Sequence, residues 1–206
     1  MLHTEGYEIK HGWCTISPAV LTAMQKRASD AEPIFNDNPE QRRNDRHRRQ
    51  VDLPVRGEWM RSLQTRLHKE YPAHTALNFV LLESRPGCQR QAAHCDYVPT
   101  PELLAASDET IPLLFLLALE DDTHLDVWPK TQTQPVQRKT LQLAAGDAVV
   151  FRADLVHAGS AYDKNNIRIH AYLDHPSVKR DPNRTWIIYK HAAPEVRARI
   201  VEAPSE

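Results

Sequence analysis

The stretch IPLLFLLALE, residues 111–120, is apolar at almost every position and stops at the acidic turn DDTH. A strand with one face in water alternates polar and apolar side chains. An unbroken run of this kind therefore predicts a strand covered on both faces. Other segments with β grammar surround it. TALNFVLLES closes at RPG, QRQAAHCDYV follows, and HLDVWP is short. TLQLAAGDAVVFRADLVHAGSAY turns at Ala145-Gly146-Asp147, and NNIRIHAYLDHP runs from a turn into a strand. Roughly eight short strands from Thr75 onward predict a sandwich or barrel built on one core.

The first third supplies helical cover. Ser17-Pro18 offers an N-cap followed by proline at the first helical position, and Val20, Met24 and Ala28 then share one face. GEWMRSLQTRLHKEY places Trp59, Leu63 and Leu67 at i, i+4 and i+8, a second amphipathic helix. Between the two lies RRNDRHRR, residues 42–49, with Arg42, Arg43, Arg46, Arg48 and Arg49. A charge cluster on a loop is ordinarily solvated. Its functional reading is a clamp for an anionic substrate: phosphate, coenzyme A or nucleic acid. No aromatic residue is interleaved, which favours a small acidic molecule over single-stranded nucleic acid.

Composition narrows the class only a little. A net charge of −1 gives no global pull towards nucleic acid or anionic membrane. No apolar run reaches the length of a membrane span, and MLHTEGYEIKHGW lacks the apolar core of a signal peptide. Cys14, Cys88 and Cys95 follow no zinc or redox spacing. They favour free thiols in a reducing compartment, the cytoplasm or the nucleus.

Metal chemistry is suggested by histidine–carboxylate pairs, yet with 11 histidines a match to H-x-[DE] is cheap. His3/Glu5 lies at the terminus, where little would hold the ligands. His68/Glu70 falls in a helix, where i and i+2 do not face each other. His94/Asp96 and His124/Asp126 sit on strands, where i and i+2 share a face. A third ligand separates them. His157 ends an apolar strand, with 60 residues between it and Asp96 and 30 between it and Asp126. The longer excursion suits a jelly roll, which brings an early strand beside a late one, so His94, Asp96 and His157 are favoured. Two imidazoles and one carboxylate on one face of an ion suit Fe(II) that activates oxygen. Arg168 stands eleven residues after His157, on the strand face shared by His170 and Tyr172. Its guanidinium suits a carboxylate.

H-x-D, a long gap, a distal histidine and then an arginine together resemble the Fe(II)/2-oxoglutarate-dependent oxygenases, in spacing the phytanoyl-CoA-hydroxylase-like branch. HGWCTISPAVLTAM, LEDDTHLDVWPKT and above all GDAVVFRADLVHAGSAY carry the likeness. The resemblance implies a double-stranded β-helix (jelly roll, cupin-like), mainly β with flanking α-helices. It implies one domain over 1–206: a mostly helical cover (1–74), a jelly-roll core (75–178) and a C-terminal strand and helix extension (179–206). His94, Asp96 and His157 become iron ligands and Arg168 the anchor for 2-oxoglutarate, with O₂ as the other co-substrate. Such an enzyme hydroxylates or demethylates a small molecule and releases succinate and CO₂. Asn78, Trp128, Ser160, His170 and Tyr172 are the candidate pocket residues. The family's usual serine two residues after the distal histidine is here Gly159, followed by Ser160. Two other classes stay open: a cupin-like metal protein that oxidises nothing, and a nucleic-acid module built on residues 42–49.

Overall fold

A computed structural model describes residues 2–34, 46–130, 136–181 and 185–201. The chain opens with α1 (Leu2–Glu5), β1 (Tyr7–Lys10), α2 (Pro18–Ala28), β2 (Glu32–Pro33), β3 (Arg48–Asp52) and α3 (Gly57–Glu70). It continues with β4 (Thr75–Ser84), β5 (His94–Cys95), α4 (Pro101–Ala105), β6 (Leu113–Ala118), β7 (Thr123–Val127), β8 (Val136–Gln137) and β9 (Lys139–Leu143). β10 (Ala148–Arg152), β11 (His157–Gly159), β12 (Asn166–Asp174), β13 (Trp186–Ile187), α5 (Ile188–His191), α6 (Pro194–Arg199) and β14 (Ile200–Val201) complete it.

Two sheets form the jelly roll. The major sheet runs β1-β10-β6-β12-β4-β3-β2 and the minor sheet β13-β5-β11-β7-β9, with antiparallel pairing in both. β6, the apolar run, lies between β10 and β12, and all six of its residues are buried. Its register explains why both faces are apolar. Leu114, Leu116 and Ala118 pair with Tyr172, His170 and Arg168 and look into the barrel. Phe115 and Leu117 pair with Ala171 and Ile169 and look outward, where Trp13 meets Phe115 with ring centroids 5.0 Å apart. The outward face packs in one core with Met60, Leu63 and Leu67 of α3 and Ala28 of α2, and both helices lie against β4.

Helix starts follow the local chemistry. The Ser17 side chain accepts from the backbone N–H of Val20 at 3.3 Å, and Pro18 opens α2. Among the described residues, no helix is long and apolar enough to cross a membrane.

Two readings need correction. Residues 1–74 supply strands as well as cover, because β1 and β3 both join the major sheet. Arg48 and Arg49 therefore lie on a paired strand, in register with Ser84 and Glu83, and not on a solvated loop. Charge density concealed the strand: RRQVD has a two-residue alternation, but arginine stands where an apolar side chain would have announced it.

Candidate metal centre

β5 and β11 pair so that His94 and His157 are direct cross-strand partners. Their rings therefore leave the minor sheet on the same side, with centroids 4.5 Å apart. Asp96 follows at the bend after β5, two residues on from His94. Its Oδ1 lies 3.5 Å from His94 Nε2 and 3.6 Å from His157 Nε2. One ligand atom from each of the three falls within a 4.8 Å cluster. Cys95 points the other way, and burial pushes its thiol far above the usual range.

The backbone sets the histidine tautomers. His94 Nδ1 donates to the carbonyl of Ala92 at 2.7 Å, and His157 Nδ1 donates to that of Leu155 at 3.1 Å. A carbonyl only accepts, so the proton of each neutral ring sits on Nδ1 and the Nε2 lone pair faces Asp96. Two lone pairs and a carboxylate converging in a buried space repel one another unless a cation lies between them. The donor set thus fits a divalent metal, with both imidazoles held from behind as metal-ligating histidines usually are.

The barrel interior continues from this cluster along β12. His170 Nε2 faces Asp96 Oδ2 at 3.7 Å. Burial lowers its pKa to about 4, against the pull of Asp96, and keeps the ring neutral. Tyr172 meets His170 edge-on at 5.0 Å, and Arg180 lies 3.7 Å over the Tyr172 ring. Phe151 closes the wall against His157 at 4.8 Å.

On the other side of His170 stands Arg168, 2 % exposed. Its guanidinium donates to Ser84 Oγ at 3.1 Å and lies 5.1 Å from the Tyr162 ring centroid. No carboxylate pairs with it among the described residues. Surface arginines need no counter-ion, but a buried one without an acid is costly. An anion could meet it there.

Several expected residues lie elsewhere. Asn78 is exposed, at a bulge in β4 with φ 51°, and lines an outer groove with Arg27 and Gln64. Trp128 packs with Ala93, Ala158, Ile188 and Ala192 in a separate apolar cluster, because it follows Val127, the in-register partner of His157, and so points to the opposite side. Neither is a pocket wall. Ser160 is buried, and its hydroxyl makes no hydrogen bond among the described residues. The rival pair also turns outward: Asp126 accepts from Thr140 Oγ1 at 2.7 Å, and the His124 ring stacks on Tyr162.

Two arginines of the basic segment are engaged within the fold. Arg48 is 2 % exposed and donates to the carbonyls of Gln89, Gly159 and Ser160. Arg49 donates to the carbonyl of Ala31 and lies 3.8 Å from Glu83. Arg46 sits exposed in a turn, and Arg42 and Arg43 lie outside the described residues. The sequence reading missed Ser84 and the inward turn of Arg48. The one available signal was Gly159, a residue without a side chain where the resembling family carries serine.

Solved structures share this architecture. The non-haem α-ketoglutarate-dependent carbocyclase SnoK from nogalamycin biosynthesis matches 84% of this chain and 81% of its own, with TM-score 0.59 and 16% identity. A Pseudomonas putida prolyl-4-hydroxylase matches over 84% and 95%, with TM-score 0.59 and 14% identity. HygX from Streptomyces hygroscopicus, with nickel and 2-oxoglutarate bound, matches over 85% of each chain, with TM-score 0.60 and 9% identity. No family model and no curated sequence matches the chain. The chain shares the double-stranded β-helix fold of these structures, and here a His-Asp-His cluster lies inside the barrel.

Proposed function

We propose that this chain is a non-haem Fe(II)- and 2-oxoglutarate-dependent oxygenase that oxidises a small molecule and releases succinate and CO₂. One observation carries the reading: His94, Asp96 and His157 share a barrel interior with Arg168, a buried cation lacking an acidic partner among the described residues. His94, Asp96 and His157 would hold the iron, which supplies the activation of O₂. Arg168 would bind the distal carboxylate of 2-oxoglutarate and so orient the acid along β12. Phe151, Leu114 and Leu116 make that wall apolar and exclude water, and neutral His170 adds no competing charge beside the ligands.

The class of substrate finds support in two neighbours: SnoN was solved with nogalamycin RO and HygX with hygromycin B, both small molecules. The burial of Arg48 removes one of the arginines on which a nucleic-acid reading of residues 42–49 depends.

The test is an anaerobic titration of apo-protein with Fe(II) and 2-oxoglutarate, following the visible iron-to-oxo-acid band in wild type and Arg168→Ala. A band that weakens in the variant is expected. Bound metal without a band would favour the cupin-like protein that oxidises nothing. Absence of metal binding would refute the assignment.

A further inference from the structure

We infer that Ser84 is a second anchor for the distal carboxylate of the oxo acid, and that Arg48 positions it. The inference rests on the oxygenase reading above and extends it to residues outside the motif.

A serine oxygen has two lone pairs and one hydrogen to give. Ser84 Oγ accepts from Arg168 Nη1 at 3.1 Å and from Arg48 Nη1 at 3.3 Å. Both lone pairs are therefore filled by guanidinium N–H groups. The hydrogen is left to donate, and no acceptor takes it among the described residues. Ser84 has 0 % exposure, so bulk water is not at hand. An acidic ligand group that meets Arg168 would meet this hydroxyl hydrogen too.

Register places that hydroxyl on the correct face. Arg168 pairs with Leu82 and Asn166 with Ser84, so Ser84 is the diagonal neighbour of Arg168 across the ladder. Arg48 pairs with Ser84 from the other edge of β4. From His170, which faces Asp96, to Arg168 is two residues of strand, on the order of 7 Å. That is a span a five-carbon diacid can bridge from a metal to a guanidinium.

Gly159 explains why the anchor comes from this side. Its backbone faces Arg48, and a methyl there would lie 2.5 Å from Arg48 Nη1, 2.5 Å from Gln91 Oε1 and 2.9 Å from Arg48 Cζ. The guanidinium occupies the room that a side chain after His157 would need. Arg48 Nη2, donating to the carbonyls of Gln89, Gly159 and Ser160 at 3.0, 3.3 and 2.8 Å, ties the end of β11 to β3. A side chain at position 159 would therefore have to displace the Arg48 guanidinium and the Gln91 amide. In this chain the arginine is present, and the hydroxyl is delivered by β4.

The experiment measures binding without turnover. Wild type, Ser84→Ala, Ser84→Thr, Gly159→Ala and Arg168→Ala would be loaded anaerobically with Fe(II) and titrated calorimetrically. The two probes are 2-oxoglutarate and 2-oxobutyrate, which chelates through the same oxo-acid end but has no distal carboxylate. Ser84→Ala should weaken 2-oxoglutarate roughly 10- to 100-fold, the worth of a hydrogen bond to a charged group. It should leave 2-oxobutyrate within about twofold, and Ser84→Thr should restore most of the loss. Gly159→Ala displaces Arg48 without touching the hydroxyl, and should show the same selective loss at smaller size. Equal weakening of both acids would mean a general defect of the barrel and would overturn the inference. Unchanged 2-oxoglutarate binding in Ser84→Ala beside a large loss in Arg168→Ala would overturn it too, while leaving the oxygenase reading in place. No 2-oxoglutarate binding by iron-loaded wild type would overturn both.

Discussion

The two ends of the barrel interior are built from opposite materials. The metal end hangs on short strands, β5 of two residues and β11 of three, and its order comes from backbone carbonyls that grip each imidazole from behind. The anion end stands on the long strands β4 and β12, of ten and nine residues. There stand arginines that the ladder holds out of water, and Arg168 has no acid beside it among the described residues. The first end is ordered by hydrogen bonds to the backbone; the second carries a buried charge that no acid compensates among the described residues. Removing groups should therefore have different consequences at the two ends.

The largest effect is expected at the metal end. His157→Ala removes one of three ligands and leaves Asp96 with fewer partners. Fe(II) affinity should fall by more than about 100-fold, beyond the usual loss for an outer-shell partner, and succinate formation should cease. Wild-type succinate release by this variant would break the ligand assignment.

Arg168→Met sharpens the contrast. Because the guanidinium is buried without a counter-ion among the described residues, its replacement by an apolar side chain should leave apo stability unchanged or raise it, by about 1 kcal/mol. The same change should raise the 2-oxoglutarate requirement roughly 10- to 100-fold. Thermal unfolding with and without the oxo acid separates these effects. Marked destabilisation of the apo-variant would show that the arginine serves the fold.

Ligand linkage comes next. With Fe(II) present, 2-oxoglutarate at about 100 times its dissociation constant should stabilise wild type by about 2.7 kcal/mol. Arg168→Met, with its 10- to 100-fold weaker binding, should gain only about 0.4–1.4 kcal/mol at that concentration. Equal gains in the two proteins would remove the arginine from the site.

The smallest effect lies outside both ends. Burial raises the Asp147 carboxyl, but the N–H groups of Gly12 and Ala144, with His11, outweigh it and hold the pKa below the usual value. A folded pKa below the unfolded one contributes stability that is complete above the unfolded value of 3.8 and lost as the pH falls through the folded value. Asp147→Asn should cost about 0.5–1 kcal/mol at neutral pH and nothing in strong acid, with 2-oxoglutarate affinity unchanged. A change in that affinity would tie this turn to the site.

How far the two ends could be read from sequence follows the same division. The metal end was legible because its ligands are local to two short segments: His94 and Asp96 share a strand face by spacing, and His157 closes an apolar run. β4, β6 and β12 were legible from their apolar pattern. The place of Arg168 beside His170 was legible because the two share a strand face. Ser84 and Arg48 were not, since they become neighbours of Arg168 only through the pairing of β3, β4 and β12, and an arginine-rich segment reads as solvent-facing. Trp128 and Asn78 went astray by local detail. One residue of register turns Trp128 away from the site, and a bulge takes Asn78 to the surface.

The central claim, that one barrel binds metal at one end and a diacid at the other, is tested most directly by crystals grown without oxygen in Fe(II) and 2-oxoglutarate. Iron would be located by its anomalous scattering. The account predicts a single iron peak bound by His94 Nε2, Asp96 and His157 Nε2, with the distal carboxylate of the oxo acid on Arg168. Iron at other side chains, or an oxo acid whose distal carboxylate turns away from Arg168, would contradict it.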